Sequence, residues 1–141
     1  MTGREQAAVL LDTHAFIWAV NDPDRLGAQS RGVLEDASVD LFVSAASAWE
    51  VATKSRLGKL PGADAWLPQW DVQVARLGAR PLPVDSGHAL LAGGLDWTHR
   101  DPFDRMLAAQ AMRDGLVLIT RDAAFSTLAV RGEEAALRLL W

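Results

Sequence analysis

Four acidic residues, Asp12, Glu50, Asp104 and Asp122, are the strongest candidates for chemistry in this sequence. Four like charges in a small volume repel one another unless a cation lies between them. Oxygen-rich sites without histidine suit the hard cations Mg²⁺ and Mn²⁺. Such a cation lowers the pKa of a water molecule and neutralises a phosphate oxygen, and both effects serve phosphodiester hydrolysis. These residue types therefore predict a metal-dependent phosphodiesterase.

Strands and helices alternate along the chain and must position these acids. Apolar runs predict strands over residues 7–11, 39–43, 79–83, 116–120 and 137–140, of which the third is weak and the last lies at an edge. Periodicity and capping signals predict helices over residues 13–20, 26–37, 44–56, 66–77 (beginning near Pro68), 85–93 and 101–115. This order predicts an α/β fold, a three-layer sandwich whose central, mostly parallel sheet is flanked by helices.

All four acids are predicted to lie at one edge of this sheet, because parallel α/β sheets bind ligands beyond the carboxyl ends of their strands. Asp12 ends the first strand, and Asp122 follows the strand over 116–120 by two residues. Glu50 lies in the helix after the second strand. Asp104 is in the first turn of a helix that enters a strand, and this turn reaches the same edge because crossover helices run antiparallel to the strands.

Each acid also has a purely structural interpretation. Asp12 and Asp122 stand where a strand gives way to a turn or helix, so each alone fits a cap. Glu50 is the one charged residue between Asp40 and Lys54, and an ion pair with Lys54, four residues later on the same helix face, would explain it. Spacing alone leaves both interpretations open.

The third acid has a competitor in Asp101. Asp101 precedes Pro102, and this pair is typical of a helix N-cap followed by the first helical residue. Asp104 then falls at the third helical position, where an acid favours the helix dipole. We interpret Asp101 as a cap.

Composition limits the class of protein. The 141 residues are 50% hydrophobic and 23% charged, which suits one folded domain over residues 1–141, with residues 1–6 as a flexible tail. The net charge of −4 is a poor match to a protein that grips nucleic acid through overall positive charge. Cysteine is absent, which excludes disulfides and thiolate chemistry. Neither a signal peptide nor a membrane-spanning apolar run is recognised, so we expect a cytoplasmic protein without a membrane partner.

Four segments resemble, in order, the motif blocks of PIN-domain proteins. They are VLLDTHAFIWAV, SAASAWEVATKSRLGKL, HRDPFDRMLAAQA and LVLITRDAAF, and the likeness runs from about Val9 to Trp141. Within that family the sequence is most similar to VapC-type toxins of bacterial toxin–antitoxin pairs. The resemblance implies a PIN-like fold and a Mg²⁺- or Mn²⁺-dependent ribonuclease acting on an RNA substrate. It also implies a homodimer that a cognate, VapB-like antitoxin inhibits.

The resemblance assigns the acids one by one. The first-strand acid of the family falls on Asp12, the acid of the serine-to-glutamate helix on Glu50, and the acid after the last core strand on Asp122. The block DRMLAAQA selects Asp104 over Asp101. Our hypothesis is that Asp12 and Asp104 are the most direct ligands of one Mg²⁺, with Glu50 and Asp122 completing the site through waters or a second metal. A metal-activated water then attacks the RNA phosphate.

Three other functions are weighed against this one. The first is a PIN-like nuclease that acts on DNA or in RNA processing, and the second is an inactive PIN-fold binding protein, against which the full set of acids argues. The third is a phosphotransferase or phosphatase with an acidic, Mg²⁺-dependent pocket, of which the haloacid-dehalogenase type is the example. That type needs an aspartate pair after its first strand, and the residues here are Asp12-Thr13-His14.

Basic, polar and aromatic residues near the acids have two interpretations each. His99, Arg100, Arg105 and Arg121 either hold RNA phosphates or are ordinary surface charge. Thr13 and Thr120 either orient the acids by hydrogen bonding or are a turn and a strand residue, and we interpret them in the second way. His14 and His88 are interpreted as structural. The six tryptophans are interpreted as core and interface residues rather than as stacking platforms for bases. Trp66 and Trp70 predict an apolar face larger than one core needs, available to a second copy or an antitoxin helix.

Overall fold

A parallel sheet forms the centre of the computed structural model, which describes residues 7–129 and 137–141. The strands are β1 (Ala8–Leu11), β2 (Asp40–Ser44), β3 (Ala79–Leu82), β4 (Val117–Ile119) and β5 (Arg138–Leu140). Their order is β3-β2-β1-β4-β5, and every neighbouring pair is parallel. The predicted sheet is therefore confirmed, including its edge strand β5. The tail predicted over residues 1–6 lies outside the described residues.

The helices of these ranges are α1 (Thr13–Asn21), α2 (Ala28–Glu35), α3 (Ala45–Arg56), α4 (Trp70–Arg76), α5 (Ser86–Gly94), α6 (Pro102–Asp114) and α7 (Ala124–Ala129). None of them is long and apolar enough to cross a membrane. The positions of α1, α3, α5 and α6 follow the sequence predictions closely, whereas α2 and α4 differ from them. Helix α7 lies where the sequence predicts only a capping role for Asp122.

Helix α2 is shorter than the predicted helix over 26–37. Leu26 is extended and buried in the core, so the helix begins only after Gly27. At the other end the Asp36 carboxylate accepts hydrogen bonds from the Ser38 amide and hydroxyl, and this local turn replaces the last helical turn. Helix α4 begins at Trp70 because two 3₁₀ turns, Ala63–Ala65 and Leu67–Gln69, occupy the segment in which the sequence predicts its start.

Short polar side chains begin the helices at the sheet edge, as predicted. Asp12, Ser44, Asp85 and Asp101 each accept a hydrogen bond from a backbone amide in the first turn of α1, α3, α5 and α6. Gly115 ends α6 with a φ of 68°, a left-handed conformation that favours glycine. These caps fix the point at which the chain turns from each strand into the next helix.

Apolar side chains cover both faces of the sheet and create three layers. Val9 and Leu11 of β1 pack in one cluster with Phe16 of α1, whereas Leu10 packs in another with Leu107 of α6. All five side chains are buried. Because alternate residues of a strand point to opposite faces, β1 contributes to both cores. The predicted three-layer sandwich is confirmed.

The apolar face predicted around Trp66 and Trp70 packs largely inside the molecule. The two indole rings lie 6.2 Å apart, and the Trp70 ring lies 4.6 Å from that of Phe16. Val74 on the same helix is buried in that cluster. The surplus apolar surface is therefore not where the sequence places it, since Phe16 of α1 takes up this face.

Candidate active site

Asp12 is a buried carboxylate at the carboxyl end of the central strand β1, with an exposed fraction of 5%. Its Oδ1 accepts a hydrogen bond from the Ala15 amide (2.7 Å), and its Oδ2 accepts one from the Thr120 hydroxyl (2.6 Å). Burial raises the pKa of Asp12, although both hydrogen bonds act in the opposite direction. Asp12 is thus the N-cap that the sequence allows. It is also a carboxylate whose negative charge is only partly stabilised.

Asp122 lies beyond β4, the strand next to β1. Its amide donates to the Thr120 hydroxyl (3.0 Å), and its Oδ1 accepts from the Ala124 amide (2.9 Å), which confirms its capping role at α7. Asp122 is exposed, and it lines with Asp12 one open depression of about 260 Å³. The two acids therefore face the same space.

Thr120 joins these two acids, and its orienting role is the interpretation that the sequence did not favour. Its hydroxyl donates to Asp12 and accepts from the Asp122 amide, so the residue predicted as an ordinary strand position orients a candidate ligand. Thr120 and Asp12 are 108 residues apart in the chain. Local sequence patterns do not predict a contact between strands that are separated by so many residues in the chain.

Glu50 lies in the second turn of α3 and is only 3% exposed. Its Oε2 accepts a hydrogen bond from the Lys54 ammonium, so the ion pair weighed from the sequence is present. Its Oε1 is buried and has no hydrogen-bond partner among the described residues. A buried carboxylate oxygen without a partner is energetically unfavourable, so this oxygen suits a cation or a hydrogen-bond donor.

Asp104 lies in the first turn of α6, and its Oδ2 is 2.7 Å from His99 Nε2. Burial raises the pKa of Asp104 to about 6, and the charges of Asp101 and Glu50 act in the same direction, while the bond to His99 lowers it. Asp101 caps α6 as predicted, because its Oδ1 accepts from the Phe103 and Asp104 amides at 2.9 and 3.2 Å.

A histidine, His99, lies next to the third acid, where the sequence predicts carboxylate donors only. His99, Asp101 and Asp104 offer ligand atoms that all lie within 4.8 Å of one another. From the sequence, His99 is a candidate for contact with phosphate, but its ring nitrogen contacts the third acid instead. This half of the site therefore combines carboxylate oxygen with an imidazole nitrogen.

Arg105 places His99 there. Its guanidinium donates to the backbone carbonyls of four residues that end α5 and form the loop before α6: Ala92, Leu95, Trp97 and His99, at 2.7 to 3.0 Å. The nitrogen donors of Arg105 are thus engaged within the protein. These contacts support neither of the two interpretations made from the sequence, a phosphate ligand or ordinary surface charge, because the half-buried guanidinium binds the loop before α6.

Lys54 supplies positive charge next to Glu50, Asp101 and Asp104. Burial lowers the pKa of Lys54, but the hydrogen bond to Glu50 and the charges of Glu50, Asp101 and Asp104 outweigh it, so the pKa rises. Lys54 therefore stays an ammonium at neutral pH. The same three acids are near enough to one another to act on a single side chain.

The topology brings the two halves of the site to the same sheet edge. β1 lies between β2 and β4, so α3 and the Asp122 loop leave the sheet on either side of Asp12. The Thr13 and Ser47 hydroxyls, 2.9 Å apart, join the first turn of α1 to the first turn of α3, one turn before Glu50. Asp12 and Asp122 form one half, and Glu50 and Asp104 the other. That all four bind one ion stays a prediction.

Known proteins resemble this chain in sequence and in fold. The family model of the PIN domain matches residues 9–131. Ribonuclease VapC22 of Mycobacterium tuberculosis is 31% identical over 117 residues, which are 81% of this chain and 86% of the relative. Ribonuclease VapC16 of the same organism is 38% identical over 60 residues, and the match spans 43% of each protein.

One solved structure shows the likeness in fold. A chain in the crystal structure of VapBC2 from Rickettsia felis bound to a DNA fragment from their promoter gives a TM-score of 0.63 at 14% identity. The match covers 94% of this chain and 97% of that one. At this identity the likeness concerns the fold alone.

The raised pKa of Asp104 predicts how pH acts on stability. A carboxyl whose pKa is higher in the folded than in the unfolded chain stabilises the fold at low pH, and this contribution is lost as pH rises through about 6. In metal-free buffer at neutral pH, Asp104→Asn is therefore expected to be more stable than the wild type by roughly 1–2 kcal/mol, after allowance for the solvent near Asp104. Chemical denaturation across pH measures this difference.

The difference should shrink as pH falls below about 6, because Asp104 is then protonated in the wild type as well. The amide that Asp104→Asn introduces should keep the contact with His99, since its oxygen still accepts a hydrogen bond. Asp71→Asn, at an exposed position of α4, is the matched control. Equal stability of the wild type and Asp104→Asn at neutral pH would contradict the assigned environment of Asp104.

Proposed function

This chain belongs to the PIN domain family, and within it to the VapC-type ribonucleases. From that premise we propose that it is the toxin of a toxin–antitoxin pair. We propose that it cleaves RNA internally with the help of a divalent cation. The observation that supports this most is the sheet edge itself. Buried Asp12 and Glu50 and half-buried Asp104 stand there, and Glu50 keeps one carboxylate oxygen without a partner among the described residues.

The side chains at this edge fit a bound cation. Asp12, Glu50, Asp104 and Asp122 offer carboxylate oxygens, the donors that Mg²⁺ and Mn²⁺ prefer. The raised pKa values of Asp12 and Asp104 report negative charge that lacks compensation, and a cation would supply it. His99 adds a nitrogen donor next to Asp104, and imidazole suits transition-metal cations better than Mg²⁺.

In the proposed reaction the protein holds and orients rather than attacks. A bound Mg²⁺ or Mn²⁺ lowers the pKa of water and offsets negative charge on the phosphate. The Thr120 hydroxyl holds the Asp12 carboxylate in one orientation by donating to Oδ2. The Lys54 ammonium balances Glu50 and adds positive potential where a phosphate would gain charge in the transition state.

Asp12→Asn tests the proposed function. The amide keeps the N-cap, since its oxygen still accepts from the Ala15 amide, but it removes the negative charge. We expect the rate of RNA cleavage with Mn²⁺ to fall by more than about 100-fold, with a circular dichroism spectrum like that of the wild type. Gel analysis of RNA fragments measures the rate.

Asp71→Asn on α4 is the control, because it removes an equal charge from an exposed side chain that is not one of the candidate acids. Cleavage by Asp12→Asn at the rate of Asp71→Asn would contradict the assigned site. A wild-type chain that cleaves single-stranded DNA but leaves RNA intact would instead favour the alternative of a DNA-directed PIN nuclease.

Lys54→Met tests the balance of charge at Glu50. Removing the ammonium leaves a buried carboxylate unpaired, so the metal-free variant should be less stable than the wild type by about 1–3 kcal/mol. A divalent cation can then replace the lost charge, so added Mn²⁺ should raise the melting temperature of Lys54→Met more than that of the wild type. Thermal denaturation with and without MnCl₂ measures both effects.

Lys59→Met, which removes an exposed ammonium just after the end of α3, is the matched control. If Lys54→Met and Lys59→Met melt at the same temperature and respond equally to Mn²⁺, Lys54 does not balance the acids.

The proposed partners are a cognate antitoxin and a second copy of the chain. An apolar groove of about 360 Å³ between α3, α5 and α6 offers surface for such contacts, and its lining includes Trp49, Val84, Phe103 and Met106. The Trp49 side chain is 63% exposed although its ring contacts Phe103. Exposed apolar surface of this kind marks protein–protein contact more often than free surface.

A homodimer through this groove predicts a mass that depends on concentration. Trp49→Glu places a charge in the apolar centre of the interface and should shift dissociation to concentrations at least about tenfold higher. Val72→Glu, at an exposed apolar position on α4, should leave the assembly unchanged. Sedimentation over a dilution series measures the mass, and a monomer at every concentration would contradict the dimer.

A further inference from the structure

An aromatic and basic surface borders the depression that Asp12 and Asp122 line. The remaining residues lining it are His14, Trp18 and Arg121. His14, which the sequence predicts as structural, is exposed, and so is Arg121. Two of the acids proposed to act on a phosphate therefore stand directly beside an aromatic ring and a cationic side chain.

Trp18 is held as a fixed ring rather than as a loose surface side chain. Its ring centroid lies 5.6 Å from that of Trp141 in an edge-on contact and 5.8 Å from that of His14. Trp141 in turn packs closely on Gly27, where a Cβ atom would come within 2.7 Å of the indole. The half-buried Trp18 ring is thus oriented before any ligand arrives.

Two guanidinium groups lie over the Trp18 ring. Cζ of Arg25 is 5.5 Å and Cζ of Arg121 is 5.8 Å from its centroid. In the described part of the chain Arg121 forms no ion pair, and Arg25 has a loose one, with Nε 4.0 Å from Asp22 Oδ2 and both side chains more than half exposed. In a protein of net charge −4, this places local positive charge next to the acids.

A nucleotide carries a base and a phosphate, and the surface formed by Trp18, Arg25 and Arg121 can bind both. Bases stack on aromatic rings with a gain that depends little on sequence, and arginine binds phosphate oxygens. We propose that Trp18, Arg25 and Arg121 form a subsite for an unpaired nucleotide next to the cleaved phosphate. The base takes the place of a guanidinium group on the indole, and the phosphate binds the two exposed guanidinium groups.

This inference rests on the proposed ribonuclease function and assigns three residues of this chain to the binding of one unpaired nucleotide of its substrate. A base inside a duplex is stacked between its neighbours and does not present its face to a side chain. The subsite thus selects against double-stranded RNA through stacking, without reading the edge of any base.

Binding of a short fluorescein-labelled single-stranded RNA to the Asp12→Asn protein tests the subsite without cleavage, by fluorescence anisotropy. Trp18→Ala in that background should raise the Kd by about tenfold, whereas Trp18→Phe should stay within about twofold because the phenyl ring still stacks. A duplex of the same sequence should bind more weakly than the single strand, and Trp18→Ala should not change its Kd.

Arg121→Ala should weaken binding of the same single strand and lower the slope of log Kd against log salt by about 0.7, as expected for one lost phosphate contact. Arg76→Ala removes the same charge from the last turn of α4 and should change neither value. Melting temperatures of all variants report whether the fold survives each substitution.

Three results would overturn the subsite. One is an unchanged Kd in folded Trp18→Ala while the wild type cleaves RNA, which leaves the proposed function intact. Another is a Trp18→Ala variant that no longer binds the cognate antitoxin but binds RNA as before, which assigns Trp18, Arg25 and Arg121 to a protein partner. The third is a wild-type chain that cleaves no RNA, which removes the proposed function and the subsite together.

Discussion

Carboxylates at a buried sheet edge lose hydration and repel one another, and much of the surrounding structure reduces these two costs. Hydrogen bonds from the Ala15 amide and the Thr120 hydroxyl stabilise the charge of Asp12. An ammonium, Lys54, pairs with Glu50, and an imidazole, His99, contacts Asp104. The compensation is incomplete, since the pKa values of Asp12 and Asp104 remain raised and Glu50 keeps an oxygen without a partner among the described residues. An edge of this kind favours a divalent cation.

The same side chains that begin helices also bring charge to this edge. Asp12 and Asp101 satisfy the free amides at the start of α1 and α6, and the positive ends of the helix dipoles stabilise their carboxylates. Because every strand of the described sheet runs parallel, these helix starts lie at one edge. Capping and chemistry are therefore not competing interpretations of Asp12. One carboxylate oxygen caps the helix, and further lone pairs stay available to a ligand.

Sequence signals predict this fold well where they are local. Apolar runs locate the strands, and the pairs Asp101-Pro102 and Asp85-Ser86 locate helix starts within one residue, because a cap acts on the next few amides. The start of α4 was predicted too early, since Pro68 suits the first turn of a 3₁₀ helix as well as that of an α-helix.

The site was predictable only in part. Residue types and the family resemblance select the acids, but the side chains that orient them are found only in three dimensions. Thr120 contacts Asp12 across two strands, and Arg105 binds carbonyls that the loop presents only after folding. Phe16 likewise takes up the face of Trp66 and Trp70 that the sequence leaves exposed.

The most direct test of a single four-carboxylate site is anomalous diffraction from crystals of the wild-type protein soaked in MnCl₂. One shared site predicts an anomalous peak about 2 Å from carboxylate oxygens of both Asp12 and Asp104, with Glu50 and Asp122 around it. A peak bound by His99, Asp101 and Asp104 alone, at a distance from Asp12, would contradict it. So would the absence of any peak at this edge of the sheet.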